Sequence, residues 1–307
     1  MASKSKDISR REFLTRGTRV AAGFVAGGAL AACAGPQIAP ASGLGSKMQF
    51  GLVTYQWGRD WNLPTLIRNC QKTGVLGVEL RTQHAHGVDS HLNEQQRYEV
   101  KIRFENSPVT LVGLGTNWAF HYADPARLQK DIKGAREYVK LSHDVGGSGV
   151  KIKPNALPEE VPVEKTIEQI GRSLNELGRF GADYGQEIRV EVHGDQTQQL
   201  PIMKQIFDVV DQSNVGVCWN CNSQDLDGEG LEYNFNLVKD RFGRIVHVRE
   251  LNAGDYPYQQ LMDLFVAMDY EGWILLEARG EPMDRVKALA EQAALFKQMV
   301  AKAQTRV

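Results

Sequence analysis

Four polar residues stand at or near the ends of four consecutive apolar runs. They are Glu191 in Ile188-Arg189-Val190-Glu191-Val192-His193, Asn220 in Val215-Gly216-Val217-Cys218-Trp219-Asn220, His247 in Ile245-Val246-His247-Val248-Arg249, and Glu277 in Trp273-Ile274-Leu275-Leu276-Glu277. Each run otherwise reads as a buried parallel strand. Laid side by side in a barrel, such strands bring two carboxylates, an imidazole and an amide oxygen to one mouth. That donor set suits a hard-to-borderline divalent metal ion. Carboxylates aimed at a metal from the carboxyl end of a barrel suit proton transfer on oxygen-rich small molecules.

A second layer of polar residues lies at or beyond the same strand ends. Glu191-x-His193 turns both side chains to one face, where His193 holds a substrate hydroxyl, orients Glu191, or is a satisfied rim histidine. His247-x-Arg249 repeats the spacing, with Arg249 a candidate for a substrate oxygen. Glu79-x-Arg81 reads as a structural ion pair inside the barrel, followed by His84 and His86 in the loop. Lys151-x-Lys153 offers an ammonium near the site or a solvated rim lysine, and Lys153 joins His193, Arg249, His86 and Tyr55 as the expected substrate contacts. Tyr55 and Trp57, with Trp118 to His121, put aromatic rings where they can stack on a sugar or pack as a lid.

These residues need elements to position them. After Met48 the pattern alternates strand and helix eight times. The strands are expected at Gln49–Trp57, Val75–Arg81, Val109–Gly115, Gly149–Pro154, Glu187–His193, Val215–Asn220, Ile245–Leu251 and Trp273–Ala278. The clearest helices are Leu63–Thr73, Ala126–Val145 and Val163–Tyr184, with Met283–Ala303 as the last. In Val163–Tyr184, Ile167, Ile170, Leu174, Leu177 and Phe180 draw one apolar stripe. Strands alternating with helices imply a parallel sheet. The length from residue 48 to 307 approaches the ~250 residues of an eight-fold β/α barrel. The expected fold is therefore α/β, a single-domain (β/α)8 TIM barrel. No Gly-x-Gly-x-x-Gly follows the first strand, which argues against a dinucleotide fold.

The first 47 residues read differently. Ser9-Arg10-Arg11-Glu12-Phe13-Leu14 resembles the twin-arginine export motif, and Val20 to Ala32 is an apolar stretch shorter than the roughly 20 residues a membrane span needs. Leu30-Ala31-Ala32-Cys33 resembles a bacterial lipobox. Residues 1–33 are thus expected to be a signal segment, Cys33 a lipidated N-terminus, and residues 34–47 a flexible linker. Ala34 after the cysteine favours the outer membrane over the inner one. This predicts a protein on the periplasmic side whose membrane contact is a lipid anchor at Cys33. The 36 basic and 37 acidic residues form no basic stripe, which excludes nucleic acid as a partner on charge grounds. A homo-oligomer is left open. Of the four cysteines, Cys218 and Cys221 invite a redox or zinc reading, but strand alternation puts them on opposite faces. They and Cys70 read as structural thiols.

Val190-Glu191-Val192-His193, Val215 through Asn220, Val246-His247-Val248-Arg249-Glu250 and Leu276-Glu277 carry a resemblance to the xylose-isomerase-like barrel superfamily, also described as sugar phosphate isomerases/epimerases. It covers roughly Gln49 to Ala301. In its ketose epimerase members Glu, Asp, His and Glu hold a divalent metal, which maps onto Glu191, Asn220, His247 and Glu277, and the two Glu form the acid/base pair. Asn220 departs from the family's Asp and removes one charge, so the ion (Mn, Mg, Co or Zn) is expected to bind weakly or exchange. The fuller ligand set of the family's three-zinc endonuclease branch is absent. The resemblance implies a sugar isomerase or epimerase that moves a proton beside a carbonyl, with a metal, lysine or histidine polarising that carbonyl. Export points to non-phosphorylated sugars. A lyase or dehydratase acting on oxidised (3-keto) sugars or glycosides is the alternative, and a non-catalytic carbohydrate-binding lipoprotein a third reading.

Overall fold

The computed structural model describes residues 43–307. The twin-arginine pair, the apolar stretch and Cys33 lie outside the described residues. Residues 43–47, the last of the expected linker, form a turn in which Gly45 donates its N–H to Asp269 Oδ1 at 2.7 Å.

Strands and helices alternate from there: β1 (Gln49–Val53), α1 (Leu63–Thr73), β2 (Gly77–Arg81), α2 (Glu94–Glu105), β3 (Thr110–Ala119), α3 (Pro125–Asp144), β4 (Gly149–Lys153), α4 (Val163–Asp183), β5 (Glu187–Glu191), α5 (Leu200–Val209), β6 (Val215–Cys218), α6 (Leu231–Val238), β7 (Ile245–Val248), α7 (Tyr258–Ala267), β8 (Trp273–Leu276) and α8 (Arg285–Gln304). The strands form one sheet in the order β6-β5-β4-β3-β2-β1-β8-β7, with every ladder parallel. Backbone bonds join the two end strands: Gly243 N–H to Val217 O and His247 N–H to Trp219 O, both 2.8 Å. The result is a nearly closed (β/α)8 TIM barrel, as the alternation predicts.

Helix ends follow local chemistry. Asn62 caps α1 by accepting from Thr65 N–H at 3.0 Å, and Gly74 closes it in the left-handed region at φ 72°. On α4 the stripe Ile167, Ile170, Leu174 and Leu177 is buried, with Phe180 packed at its edge. Each such side chain contributes roughly 1.5–3 kcal/mol on burial. This stripe belongs to the larger core, between strands and helices. A separate small cluster fills the barrel itself: Val53, Val112, Cys218, Ile245 and Leu275. Cys218 sits in that inner cluster and Cys221 in the outer core, so the two thiols are buried, free and on different faces.

The rest of the barrel interior is ionic. Arg189, Glu79 and Lys151 are each at most 1% exposed. Glycines on neighbouring strands make the room. A Cβ on Gly113 would fall 2.4 Å from Arg189 Nη1, and one on Gly115 2.5 Å from Glu79 Oε1.

β1, β5, β6, β7 and β8 end two to four residues before the expected boundaries, while β3 runs on to Ala119. Backbone pairing continues past two of these ends, through Val192 N–H to Cys218 O at 3.0 Å and Glu277 N–H to Val248 O at 2.7 Å. Asn220 and Glu277 therefore begin loops, and Glu191 and His247 remain on strands.

Candidate functional site

The carboxyl ends of β5, β6, β7 and β8 bring four side chains together. Glu191, Asn220, His247 and Glu277 are 1%, 4%, 0% and 6% exposed. One ligand atom from each of Glu191, His247 and Glu277 lies within 4.8 Å of the others, close enough to share one ion. His247 turns Nδ1 toward Glu277 Oε2 at 4.0 Å and Nε2 toward Glu79 Oε1 at 3.4 Å. Asn220 Nδ2 donates to Glu191 Oε1 at 3.0 Å. A half-turn of this amide would present its oxygen to the same space.

The polar residues around this group do not all behave as their spacing suggests. Glu79 and Arg81 do not pair with each other. Two residues apart on one strand, they point inward at different depths: Glu79 faces His247, and Arg81 reaches Glu277 Oε1 at 3.5 Å and Asn117 Oδ1 at 3.2 Å. Lys151 is no rim lysine. Its buried ammonium binds Glu191 Oε2. Lys153, one pleat nearer the mouth, stands 3.4 Å from His193 Nε2 and 3.9 Å from Glu191 Oε2. Tyr55 packs at the edge of the inner cluster, with the Arg81 guanidinium 5.5 Å from its ring centre. Trp57 instead turns outward and donates to Gly280 O at 2.8 Å, fastening the β8 loop to the β1 loop.

His86 is a correction to the expected substrate contacts. Its Nδ1 accepts from Val88 N–H at 3.0 Å, so Nε2 carries the proton and donates to Arg81 O at 2.7 Å. Both nitrogens hold the β2 loop, and none is left for a substrate. Arg249 lies beside Asp225 and Cys221, where burial raises the pKa of both and its charge offsets part of that rise.

Sequence reasoning missed the network that holds the β6 loop. Trp219 Nε1 donates to Tyr256 Oη at 3.2 Å, and that hydroxyl donates to Asp225 Oδ2 at 2.7 Å, which also accepts from Asn222 N–H at 2.9 Å. Cys221 turns the chain directly after Asn220 at φ 47°, a left-handed conformation uncommon outside glycine. The only sequence signal was Asn222-x-x-Asp225, the spacing of a local cap.

Burial and charge set the protonation states. Burial favours the neutral acid at Glu191, but the ammonium of Lys151, then Lys153, His247 and His193 outweigh it and hold the carboxyl far below its usual range. Burial pushes Lys153 down to about 8 and His193 to about 4. At His247 burial opposes protonation, yet negative charge beside the ring, with Glu79 Oε1 3.4 Å from Nε2, outweighs it and raises its pKa. Burial lifts Asp225 to about 7.

Several buried atoms here lack a hydrogen-bond partner among the described residues: both oxygens of Glu79, both ring nitrogens of His247 and Nδ1 of His193. Buried polar atoms are normally satisfied, so a group of unsatisfied ones marks a place for an ion, a ligand or ordered water. Two carboxylates, one imidazole and a reorientable amide fit a divalent ion of the Mn, Mg, Co or Zn kind.

A sequence model described as Xylose isomerase-like TIM barrel matches residues 67–299. No match was found among curated protein sequences. Among solved structures, 3-keto-D-glucoside 4-epimerase from E. coli is similar at a TM-score of 0.69 and 16% identity, over 82% of this chain and 100% of that one. L-ribulose 3-epimerase is similar at 0.73 and 12%, over 84% and 96%. The IOLI protein, solved with a zinc atom bound, is similar at 0.69 and 15%, over 84% and 99%. At such identities the likeness is one of fold.

Proposed function

The chain belongs to the Xylose isomerase-like TIM barrel family, and from that premise we propose that it is a sugar isomerase or epimerase that moves a proton beside the carbonyl of a non-phosphorylated sugar. The observation that carries this reading is the convergence of two buried carboxylates, Glu191 and Glu277, on one imidazole at the carboxyl end of the barrel. Reactive groups in such barrels sit at that end. The family's fold neighbours include sugar epimerases, which supports the substrate class.

In this reading Glu277 and Glu191 are the acid/base pair. Glu277 is steadied by Arg81 at 3.5 Å. Glu191 stays ionised because Lys151 and Asn220 hold its two oxygens, which also makes it the weaker proton acceptor of the two. Lys153, with its pKa near 8, keeps most of its charge at neutral pH and stabilises the oxygen of an enediolate. His193, neutral there, offers Nδ1 to a substrate hydroxyl, and Tyr55 offers a ring face to sugar C–H groups. A divalent ion held by Glu191, Asn220, His247 and Glu277 would polarise the carbonyl as a Lewis acid.

The same groups could expel a β-leaving group from a 3-keto glycoside. The likeness to a 3-keto-D-glucoside 4-epimerase over its whole length favours keeping this lyase reading second. Incubating the barrel with free sugars and 3-keto glycosides in D2O tests both. Deuterium at the carbon beside the carbonyl supports proton transfer, release of aglycone supports the lyase, and no exchange with any member of the panel counts against both. Export by the twin-arginine route and lipidation at Cys33 complete the proposal. Changing Arg10 and Arg11 to Lys should trap precursor in the cytoplasm, and normal export of that variant would refute the route.

A further inference from the structure

The carboxylate best placed to hold an ion already holds a cation. Lys151 is 0% exposed, and its ammonium binds Glu191 Oε2, while the other oxygen of Glu191 takes the Asn220 amide at 3.0 Å. Three carboxylates, Glu79, Glu191 and Glu277, face three cationic side chains, Lys151, Lys153 and Arg81, with the His247 ring between Glu79 and Glu277. The carboxylates are already matched by these side chains before any ion arrives, and Asn220 supplies no charge. A divalent ion would add two positive charges beside a buried ammonium, where screening by water is weak.

The ammonium has somewhere else to go. Glu79 is fully buried, both its oxygens lack a hydrogen-bond partner among the described residues, and Oε1 lies over Gly115, the ladder partner of Lys151 on the next strand. We propose that the Lys151 ammonium and a divalent ion are alternative partners of Glu191, and that an ion binds by displacing Lys151 from Glu191 toward Glu79. The inference rests on Glu191, His247 and Glu277 as ion ligands. It explains in one device why the barrel interior holds a lysine under the site and a carboxylate whose near neighbour is only the His247 ring, 3.4 Å away. Half-occupancy would then need a higher free ion concentration than a site of bare carboxylates, because loading has to break an ion pair.

Mn2+ titration of the full chain without sugar, followed by the electron paramagnetic resonance of free Mn2+, tests this. Lys151→Met should bind Mn2+ at least tenfold more tightly than wild type. Glu79→Gln should weaken binding in wild type, where Lys151 needs its second partner, and change little when combined with Lys151→Met. Equal or weaker binding by Lys151→Met would overturn the inference. So would a Glu79→Gln loss equal in both backgrounds, since Glu79 would then act through His247 alone, and so would no binding by either protein. If Lys151→Met does not fold, a crystal structure of wild type soaked in Mn2+ decides: Lys151 bonded to Glu79 supports the displacement, and Lys151 still on Glu191 beside a bound ion refutes it. Because no sugar is present, a positive result with no proton exchange would sink the isomerase reading and leave this one standing, and the reverse outcome would do the opposite.

Discussion

At the floor of the barrel Arg189 is buried with every arm of its guanidinium bonded: Nε to Glu187 Oε2 at 2.7 Å, Nη1 to Val112 O at 2.9 Å and Nη2 to Ser148 Oγ at 2.8 Å. At the mouth Glu79 and His247 are buried as deeply, yet both oxygens of one and both nitrogens of the other lack a hydrogen bond among the described residues. The same barrel thus buries charge in two ways. A satisfied charge fixes the shape of the interior, and an unsatisfied one keeps binding capacity in reserve. Burial alone does not separate structure from function here. Clustering of unmet hydrogen bonds beside ligand-type side chains does, since single unmet atoms also occur away from the mouth, at Arg136 and Gln186.

The contrast can be broken at either end. The largest expected effect is at the mouth. Glu277→Gln keeps the shape and removes a proton acceptor, so turnover should fall by about 10²–10⁴-fold, with the melting temperature held. A variant that keeps its turnover would detach Glu277 from the chemistry.

The mouth should also own much of the pH dependence of stability. Burial lifts Asp225 to about 7, so between pH ~4 and 7 the folded chain holds a proton that the unfolded chain has lost. Its contribution to stability is whole below the ordinary carboxylate range and is lost as pH rises through 7, with an upper bound of about 4 kcal/mol. Asp225→Asn cannot lose that proton. The melting temperature of Asp225→Asn minus that of wild type should therefore climb from pH 4 to pH 8, and parallel curves would contradict this.

The floor should respond to truncation. Arg189→Met leaves Glu187 without its ion-pair partner and takes one donor each from Val112 O, which keeps Ser148, and from Ser148 Oγ, at a cost of about 3 kcal/mol. In a domain of this size that lowers the melting temperature by roughly 6–12 °C. The smallest effect returns to the mouth. Asn220→Asp adds a carboxylate beside Glu191 and His247 and should tighten divalent-ion binding by about tenfold in calorimetric titration. Unchanged affinity would remove residue 220 from the ligand set.

Much of this architecture could be read from the sequence because its periodicities are local. The α4 stripe and the apolar runs of β5 to β8 announce themselves, and Glu191, Asn220, His247 and Glu277 could be matched because each closes such a run. What could not be read depends on contacts around the barrel. Alternation placed Glu79, Arg81, Lys151 and Lys153 on the inner face, but depth and partner come from strand register. Val53 pairs with Glu79 and Gly115 with Lys151, and it is the side-chain space over Gly115 that lets Glu79 reach inward. His86 shows the opposite failure: a loop histidine near a site looks available until its two backbone partners are seen. Asp225 and Tyr256 are 31 residues apart and gave no pattern to find.

One side-by-side measurement tests the division most directly. Deuterium incorporation into the sugar that wild type exchanges would be followed by NMR for wild type, Glu277→Gln and Arg189→Met, each normalised to its folded fraction. Arg189→Met, though less stable, should exchange at close to the wild-type rate per folded molecule, and Glu277→Gln, though stable, should lose about 10²–10⁴-fold. Exchange lost in Arg189→Met and kept in Glu277→Gln would contradict the division.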